Sequence, residues 1–399
     1  MIEPKYIQQI EEALVTKDYS LFTRRCLDVC KDYIVDKTIE TQAFDLRKQF
    51  LLSNNDNNTL NEVEFLANAK VLVDGIKNST VELKNNDFLK NNIIFKAHEI
   101  SKQFYKGKSP FKLHPISFEL QLGEITGVVG ENGNGKTTLL RMVAGLLSIN
   151  SGSIEYPALN NSGENYYDAK NKFAFIPQRI PKWHGTLMEN LMFFAAIHNI
   201  KGEENYRQIE YILFRLGLDK FRDLTWNEIS SGYRMRFELA KMLLWRPHLL
   251  ILDEPLANLD INAQQLFLQD LKFFSQSKSY PLSIIFSSQQ LHEVERVADN
   301  IIFIRQGKTI YNGKQIDFGI NREVNNFEVA GGFSLQELQT CLQSIPNCKI
   351  EDAGTAFIIG VNKEYEWFSI IELIYKHNLQ LNYFRDISQS TRQLFHKDI

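Results

Sequence analysis

The apolar positions in the first quarter of the chain repeat at helical spacing. Residues 21, 22, 26, 29, 30 and 33 follow an i, i+3, i+4, i+7 pattern, so one face of a helix is apolar and is expected to pack inward. Helices are predicted over residues 7–15, 19–35, 38–52 and 60–76. The polar run 54–58 separates the last two, and residues 81–92 form a predicted linker. Residues 1–90 are therefore predicted to form a helical accessory module in front of the next domain, suited to docking or to supporting a dimer.

Four short apolar runs in the middle of the chain predict buried strands. They cover residues 125–129, 173–176, 249–252 and 282–286. A run with helical spacing, 138–144, follows the first of them. In an open α/β sheet with parallel strands, ligands bind at the carboxyl ends of the strands. The residues directly after these strands are therefore where we expect the chemistry.

The last part of the chain alternates between strand and helix patterns. Strands are predicted at 326–329, 349–350, 356–361 and 379–384, and helices at 335–342 and 365–375. The order β-α-β-β-α-β indicates a small split α/β module over residues 324–399. This module contains no catalytic pattern, so we expect it to serve in dimer contact or regulation.

Composition and charge narrow the possible partners. The 399 residues are 44% hydrophobic, which is enough for a large core and two or three domains. The formal net charge of -3 provides no broad basic field, so no nucleic-acid partner is expected. The four cysteines form no CxxC pair, and the eight histidines have no metal-ligand spacing. Neither a signal peptide nor an apolar run of membrane-spanning length is found, so we expect a cytoplasmic protein that needs a spanning partner for any membrane function.

A glycine-rich loop follows the predicted strand at 125–129. It consists of Gly130, Glu131, Asn132, Gly133, Asn134, Gly135, Lys136, Thr137 and Thr138. The glycines let backbone N–H groups turn inward around an anion, and the following helix adds the positive end of its dipole. Lys136 is expected to reach the terminal phosphates, and the Thr137 hydroxyl to bind Mg²⁺. Strand, loop and helix together form a P-loop, which predicts binding of a nucleoside triphosphate.

Two adjacent carboxylates follow the predicted strand at 249–252. Asp253 is expected to hold the metal, directly or through water, and Glu254 to polarise the attacking water as a general base. An acidic pair after a strand can also cap the next helix. The P-loop in the same chain favours the catalytic interpretation.

A serine-glycine loop lies between the P-loop and the acidic strand. Ser230, Ser231, Gly232 and Tyr233 open a predicted helix, where the Ser230 hydroxyl and the N–H groups of the turn form an anion site. In this position the loop resembles that of the nucleotide-binding subunit of ABC (ATP-binding cassette) proteins, and the resemblance spans residues 93–320. It implies binding of ATP and Mg²⁺ by a P-loop cassette with a mixed α/β sheet core and a helical subdomain. It also implies that the loop contacts the γ-phosphate across a head-to-tail dimer.

Other landmarks of the family occur in the expected order. The resemblance makes Gln178 a ligand of Mg²⁺, a sensor of the attacking water and a contact to the transport partner. It places Asp260 in a loop that communicates across the dimer. Phe104, or Tyr105 beside it, occupies the place of an aromatic side chain that stacks on adenine.

Three positions depart from the family pattern. Gln289 stands where the family has a histidine that contacts the γ-phosphate, and a glutamine can donate a hydrogen bond but cannot carry positive charge. Ser231 replaces a glycine, so its Cβ narrows the backbone freedom of the loop, and Tyr233 replaces a glutamine. The lysine and both carboxylates are retained. We therefore expect ATP hydrolysis that is slow but real.

The resemblance implies the ATPase subunit of a membrane transporter, peripheral on the inner face of the membrane and bound to an integral membrane permease. Residues 186–191 and 216–218 resemble those of bacterial exporters, so export is favoured. Similar sequences also occur in importers. Two other classes stay open. Co-purification with ribosomes or DNA would indicate a soluble non-transport ABC ATPase, and tight ATP binding without turnover would indicate an ATP-gated scaffold.

Overall fold

The computed structural model describes residues 2–53, 60–79, 82–84, 92–105, 111–158, 171–317 and 324–388 of the chain. The polar break predicted at 54–58 and residues 85–91 of the predicted linker lie outside these ranges. Among the described residues, no helix combines the length and the apolar character needed to cross a membrane.

The N-terminal region contains the four predicted helices. They are α1 Pro4–Val15, α2 Tyr19–Asp32, α3 Lys37–Ser53 and α4 Glu62–Asn78. α2 ends before residue 35 because Tyr33–Ile34 (β1) is extended and pairs antiparallel with Glu82–Leu83 (β2). Aromatic and β-branched residues suit this extended pairing. The start of the predicted linker therefore folds back onto the helices instead of leading away from them.

The middle of the chain forms two sheets and a set of helices. In chain order it contains β3 Ile93–Phe104, β4 Phe111–Gln121, β5 Ile125–Val129, α5 Lys136–Val143, β6 Ser151–Glu155, β7 Phe173–Ile176, α6 Leu187–Ile197, α7 Gly202–Leu216, α8 Ser231–Leu243, β8 Leu249–Leu252, α9 Ile261–Ser275, β9 Ser283–Ser288, α10 Leu291–Glu295, β10 Asn300–Arg305 and β11 Lys308–Lys314. The larger sheet has the order β11-β10-β5-β9-β8-β7 and is parallel except for the β10–β11 pair. β4, β3 and β6 form an antiparallel sheet. This mixed α/β architecture is the predicted fold class.

Side chains of the parallel strands alternate between two hydrophobic cores. Leu249 and Ile251 of β8 belong to the core shared with the antiparallel sheet and α5. Leu250 and Leu252 belong to the core on the other face, beneath the helices. Burial of both faces explains why these strands are continuous apolar runs. Because β5, β9, β8 and β7 are neighbours and parallel, the residues that follow them meet at one edge of the sheet.

The N-terminal helices share a core with the helices of the middle region. Phe22 of α2 lies in the same buried cluster as Leu213 of α7 and Phe267 of α9. Arg47 of α3 donates from Nε to the carbonyl oxygen of Phe214 at 3.0 Å. The apolar face predicted for α2 therefore packs against the helices that follow the P-loop as well as against its own neighbours.

The C-terminal region has the predicted order of elements. It contains β12 Val324–Gly331, α11 Leu335–Cys341, β13 Lys349–Asp352, β14 Phe357–Asn362, α12 Trp367–Lys376 and β15 Leu381–Asp386. The strands form an antiparallel sheet in the order β13-β14-β12-β15. Phe327, Ile359 and Ile370 lie in a core confined to this region. The predicted β-α-β-β-α-β arrangement is confirmed for the described residues.

Candidate active site

The glycine-rich loop connects β5 to α5. Gly135 precedes α5 with φ +104°, in the left-handed region that favours glycine. A Cβ at Gly130 would lie 2.3 Å from the carbonyl oxygen of Ile304, so this position has no room for a side chain. The exposed tip consists of Glu131, Asn132 and Gly133, and the first turn of α5 contains the half-buried Thr137 and Thr138. Glycine is therefore required at both ends of the loop, for different reasons.

Lys136 is buried at the start of α5, with 4% of its surface exposed. Its ammonium donates to the carbonyl oxygens of Gly130 at 2.7 Å and Glu131 at 3.1 Å. It also forms an ion pair with Glu254, whose Oε1 is 3.2 Å from Nζ. The lysine predicted to contact phosphate thus lies beside the predicted general base.

Thr137 and Asp253 meet between the loop and the end of β8. Thr137 Oγ1 donates to Asp253 Oδ1 at 3.1 Å, and Ser287 Oγ donates to the same oxygen at 2.9 Å. Asp253 is 3% exposed, and a buried carboxylate is stable only with compensating partners. Hydroxyl and carboxylate oxygens are ligands that Mg²⁺ prefers. The residues present therefore fit a Mg²⁺ ion.

Glu254 receives hydrogen bonds from two glutamine side chains. Gln178 Nε2 lies 2.7 Å and Gln289 Nε2 lies 2.8 Å from Glu254 Oε2. With Lys136 at the other oxygen, three donors orient the carboxylate. Glu254 has φ +48°, which is uncommon for a residue with a side chain and frequent at functional sites. Residues that follow β5, β7, β8 and β9 thus converge on one carboxylate.

The serine-glycine loop opens α8 and contacts the loop before α9. Ser230 caps α8, since its Oγ accepts from the Tyr233 N–H at 3.5 Å. Ser231 Oγ donates to the Asn258 carbonyl oxygen at 2.7 Å, and the Asp260 side chain caps α9. Among the described residues, no hydrogen bond joins this loop to the P-loop of the same chain. The two anion-binding loops predicted from the sequence are therefore separate in one subunit.

Gly232 and Tyr233 continue this loop into α8. A Cβ at Gly232 would lie 3.6 Å from the Ala263 Cβ, which is an ordinary contact distance. The ring of Tyr233 packs on the ring of Phe221 with centroids 4.1 Å apart. Tyr233, which replaces the glutamine expected from the resemblance, is thereby held against the segment that follows α7.

Phe104 lies at the end of β3 near the P-loop. It is 37% exposed and is in register with Phe111 of β4. The Phe111 ring would lie 2.7 Å from a Cβ on Gly135, so the ends of β3 and β4 lie beside the P-loop. Tyr105, the alternative partner for adenine, is 77% exposed. Both aromatic side chains are accessible.

Three contacts of the site were not predicted from the sequence. Ser287 links the Asp253 carboxylate to the backbone of Glu254, because its Oγ donates to Asp253 Oδ1 and accepts from the Glu254 N–H at 2.8 Å. Asn134 Oδ1 accepts from the Gln306 N–H at 2.8 Å and braces the loop against the turn after β10. Phe111 packs at Gly135. A serine at a strand end or a phenylalanine in a strand is too common to signal such a role.

A P-loop, a buried acidic strand end and a mixed α/β sheet define this protein as a P-loop ATPase. Residues 113–257 match the family described as ABC transporter. The ABC transporter ATP-binding protein NatA of Bacillus subtilis (strain 168) is 31% identical over 225 residues, which cover 54% of this chain and 87% of NatA. The chain belongs to the ABC transporter ATP-binding proteins. It is therefore an ATP-binding, ATP-hydrolysing subunit of an ABC transporter, and the predicted family is confirmed.

Other similar proteins include the energy-coupling factor transporter ATP-binding protein EcfA2 of Clostridium perfringens (strain 13 / Type A). It is 26% identical over 288 residues, which cover 69% of this chain and 96% of that protein. Among solved structures, cbiO1 from Clostridium perfringens, part of the ABC transporter complex cbiONQ, has 24% identity and a TM-score of 0.49. That match covers 56% of this chain and 89% of cbiO1.

Proposed function

We propose that this chain drives export through a separate integral membrane permease, as one half of a head-to-tail dimer of cassettes. The observation that carries the ATP-hydrolysing part of the proposal is the convergence of five side chains at one edge of the sheet, those of Lys136, Gln178, Asp253, Glu254 and Gln289. Such a cluster contains a phosphate-binding cation, a metal carboxylate and an oriented base, which are the parts that phosphoryl transfer to water needs.

Nucleotide binding begins at the P-loop. Lys136 contacts the loop carbonyls and Glu254, and its ammonium would contact the terminal phosphates of a bound nucleotide. Thr137 and Asp253 would hold Mg²⁺, with Gln178 beside them, and the ion would neutralise phosphate charge when bound. Phe104 is the ring that we propose for stacking on adenine.

Glu254 would accept a proton from the water that attacks the γ-phosphate. Gln178 and Gln289 keep its carboxylate in one orientation by donating to the same oxygen. Because an amide has no titratable proton in the physiological range, Gln289 supports the base without the positive charge that a histidine can supply. This is the reason for the low basal rate that we expect.

A second cassette would complete the site. The serine-glycine loop, residues 230–233, forms no hydrogen bond with the P-loop among the described residues of this chain. The start of α8 in this loop is nevertheless suited to binding an anion. In a head-to-tail dimer this loop would contact the γ-phosphate held by the other subunit. Asp260, next to it in space through the Ser231–Asn258 contact, would lie at the same interface.

The surface of α6 supports a membrane partner. Met192, Phe193 and Ile197 are 41%, 68% and 61% exposed on this helix, which follows Gln178 in the chain. Exposed apolar side chains clustered on one helix mark an interaction surface. We propose that the cytoplasmic face of the permease covers them, so that the chain is peripheral on the inner face of the membrane. Export is the direction supported by the patterns at 186–191 and 216–218.

The partner can be tested with a photo-crosslinking amino acid at Phe193 in the full-length chain, expressed in its native cells. We expect an adduct with a protein that contains several membrane-spanning helices. The same amino acid at Tyr375, which is 80% exposed on α12, is the matched control and should give no such adduct. Absence of an adduct at 193, or equal adducts at both positions, would contradict the proposed surface. With the partner in hand, inverted membrane vesicles that accumulate cargo on addition of ATP would establish export.

A further inference from the structure

A cleft lies between the N-terminal helices and the helices that follow the P-loop. Its volume is about 410 Å³. The cationic side chains that line it are Arg24 of α2, Arg47 and Lys48 of α3, Lys220, and Arg236 of α8. We call it the arginine cleft. Among its described lining residues the only carboxylate is Asp219, which pairs with Arg222 at 3.2 Å.

The three arginines of the cleft are buried, with exposures of 6% for Arg24, 3% for Arg47 and 8% for Arg236. A buried guanidinium normally needs a carboxylate of its own. Here Asp270 accepts from Arg24 at 3.3 Å and from Arg236 at 3.4 Å, and it is also 3.0 Å from Arg215. Asp270 is therefore shared by three guanidinium groups, of which, within the described ranges, Arg215 alone has a second buried carboxylate, Asp28 at 2.6 Å.

Two further observations show that positive charge is in excess in the arginine cleft. Arg47 donates to the carbonyl oxygens of Phe214 and Ser20 and to the Thr23 hydroxyl, and no carboxylate of the described residues lies within ion-pair distance of it. The Nε–H of Arg236 is buried without a hydrogen-bond partner in the described part of the chain.

The pKa values of two of these arginines are lowered by burial and by the neighbouring positive charges. Burial, followed by the charges of neighbouring arginines, lowers the pKa of Arg47 to about 9. Burial and the charge of Arg215 likewise lower the pKa of Arg24. A bound anion would remove this repulsion, because an opposite charge stabilises the charged form of each guanidinium.

The lining of the cleft also contains apolar side chains, which we call the apolar wall and which include Phe50, Leu51, Leu216 and Leu266. A cleft of this size that is lined by apolar side chains and a few convergent polar groups is typical of small-molecule sites. The planar donor fork of arginine matches the oxygens of a phosphate group. We propose that the arginine cleft binds a small phosphate-bearing molecule, with the phosphate on the arginines and any organic part on the apolar wall.

This site would act on how the helices are held together and not on the chemistry itself. Its residues come from α2 and α3 on one side and from α8 on the other, and its lining includes Tyr233 at the start of α8. A phosphate held by all three helices would tie the N-terminal helices to the serine-glycine loop. The proposal therefore goes beyond nucleotide hydrolysis at the P-loop.

The test is a thermal-unfolding titration of the full-length chain that carries Lys136→Ala, which removes the P-loop lysine. Sodium phosphate and, separately, AMP are added at constant ionic strength, with sodium chloride as the reference. We expect a saturable rise in unfolding temperature. Lys48→Glu, at an exposed rim residue, should weaken the apparent affinity about tenfold, since it replaces a charge-assisted hydrogen bond by repulsion. Lys37→Glu, exposed on the same helix but outside the cleft, is the matched control and should leave the affinity unchanged.

The two ligands separate the possible sources of the phosphate. Tighter binding of AMP supports an organic phosphate that uses the apolar wall, and equal binding supports free phosphate. No saturable shift with either ligand would overturn the site. So would an affinity that is unchanged by Lys48→Glu or that falls equally with Lys37→Glu. These readouts do not depend on ATP turnover, so they fail or succeed separately from the proposed transport function.

Discussion

The nucleotide site and the arginine cleft both bury charged side chains between several elements, but their net charges have opposite signs. At the nucleotide site Asp253 and Glu254 face a single ammonium, that of Lys136. Beside the arginine cleft the guanidinium groups of Arg24, Arg236 and Arg215 share Asp270. Buried charge that the chain does not neutralise itself is costly, so each region favours a ligand of the missing sign. The comparison predicts a cation beside Asp253 and an anion in the cleft.

The two regions also differ in how they are assembled. The nucleotide site consists of residues directly after neighbouring strands, so a few short sequence patterns specify it. The arginines of the cleft and their shared carboxylate combine residues 24, 47, 236 and 270, which are on four different helices. A change at the nucleotide site should therefore alter catalysis, whereas a change in the cleft should alter stability and the coupling between the helices.

The largest effect is expected at the nucleotide site. Glu254→Gln removes the base but keeps the shape of the side chain, so ATP should still bind and trap a head-to-tail dimer. Hydrolysis should fall on the order of 10²–10⁴-fold, measured as steady-state phosphate release. Glu293→Gln is the control, because Glu293 lines the same cavity as Glu254 but accepts a hydrogen bond from Ser288 instead. An unchanged rate in Glu254→Gln would mean that another group orients the water.

In the arginine cleft the corresponding change is Asp270→Asn. It keeps the volume but leaves Arg24, Arg215 and Arg236 without their shared carboxylate, and breaking a buried ion pair costs about 3–5 kcal/mol. Urea unfolding of the two proteins measures the difference.

Asp219→Asn is the matched control for that change. Its partner Arg222 is partly exposed, and an exposed pair contributes about 0–1 kcal/mol, so stability should change little. If Asp270→Asn costs no more than Asp219→Asn, the charges of the cleft are not strongly coupled and the contrast with the nucleotide site is lost.

The smallest effect is expected at Gln289. Gln289→His restores a donor that can be charged, and charge-assisted hydrogen bonds are roughly twice as strong as neutral ones, so about 1 kcal/mol of transition-state stabilisation is available. Basal ATP hydrolysis should rise several-fold, best measured with the membrane partner present. Gln289→Leu removes the hydrogen bond to Glu254 and should lower the rate. A histidine variant that is no faster than the parent would show that the glutamine amide is already sufficient.

Much of the fold was accessible from the sequence because its determinants are local. Continuous apolar runs predicted the strands of the parallel sheet, since strands buried on both faces have no polar positions. The β-α-β-β-α-β order of the C-terminal region followed from alternating strand and helix patterns. The end of α2 was misplaced, because the pairing of Tyr33–Ile34 with Glu82–Leu83 depends on a segment about 50 residues away in the chain.

The sequence by itself predicted the P-loop and the acidic strand end, because the spacing of a loop between a strand and a helix decides where backbone N–H groups and side chains point. The two glutamines were predicted from the resemblance to the family. Only the tertiary structure decided that Ser287 links the Asp253 carboxylate to the Glu254 backbone and that Gln178 and Gln289 share one oxygen of Glu254. It also decided that Arg24, Arg47 and Arg236 line one cleft. Whether a charge is buried and which charge compensates it depend on the helices that pack around it, and no local pattern encodes that packing.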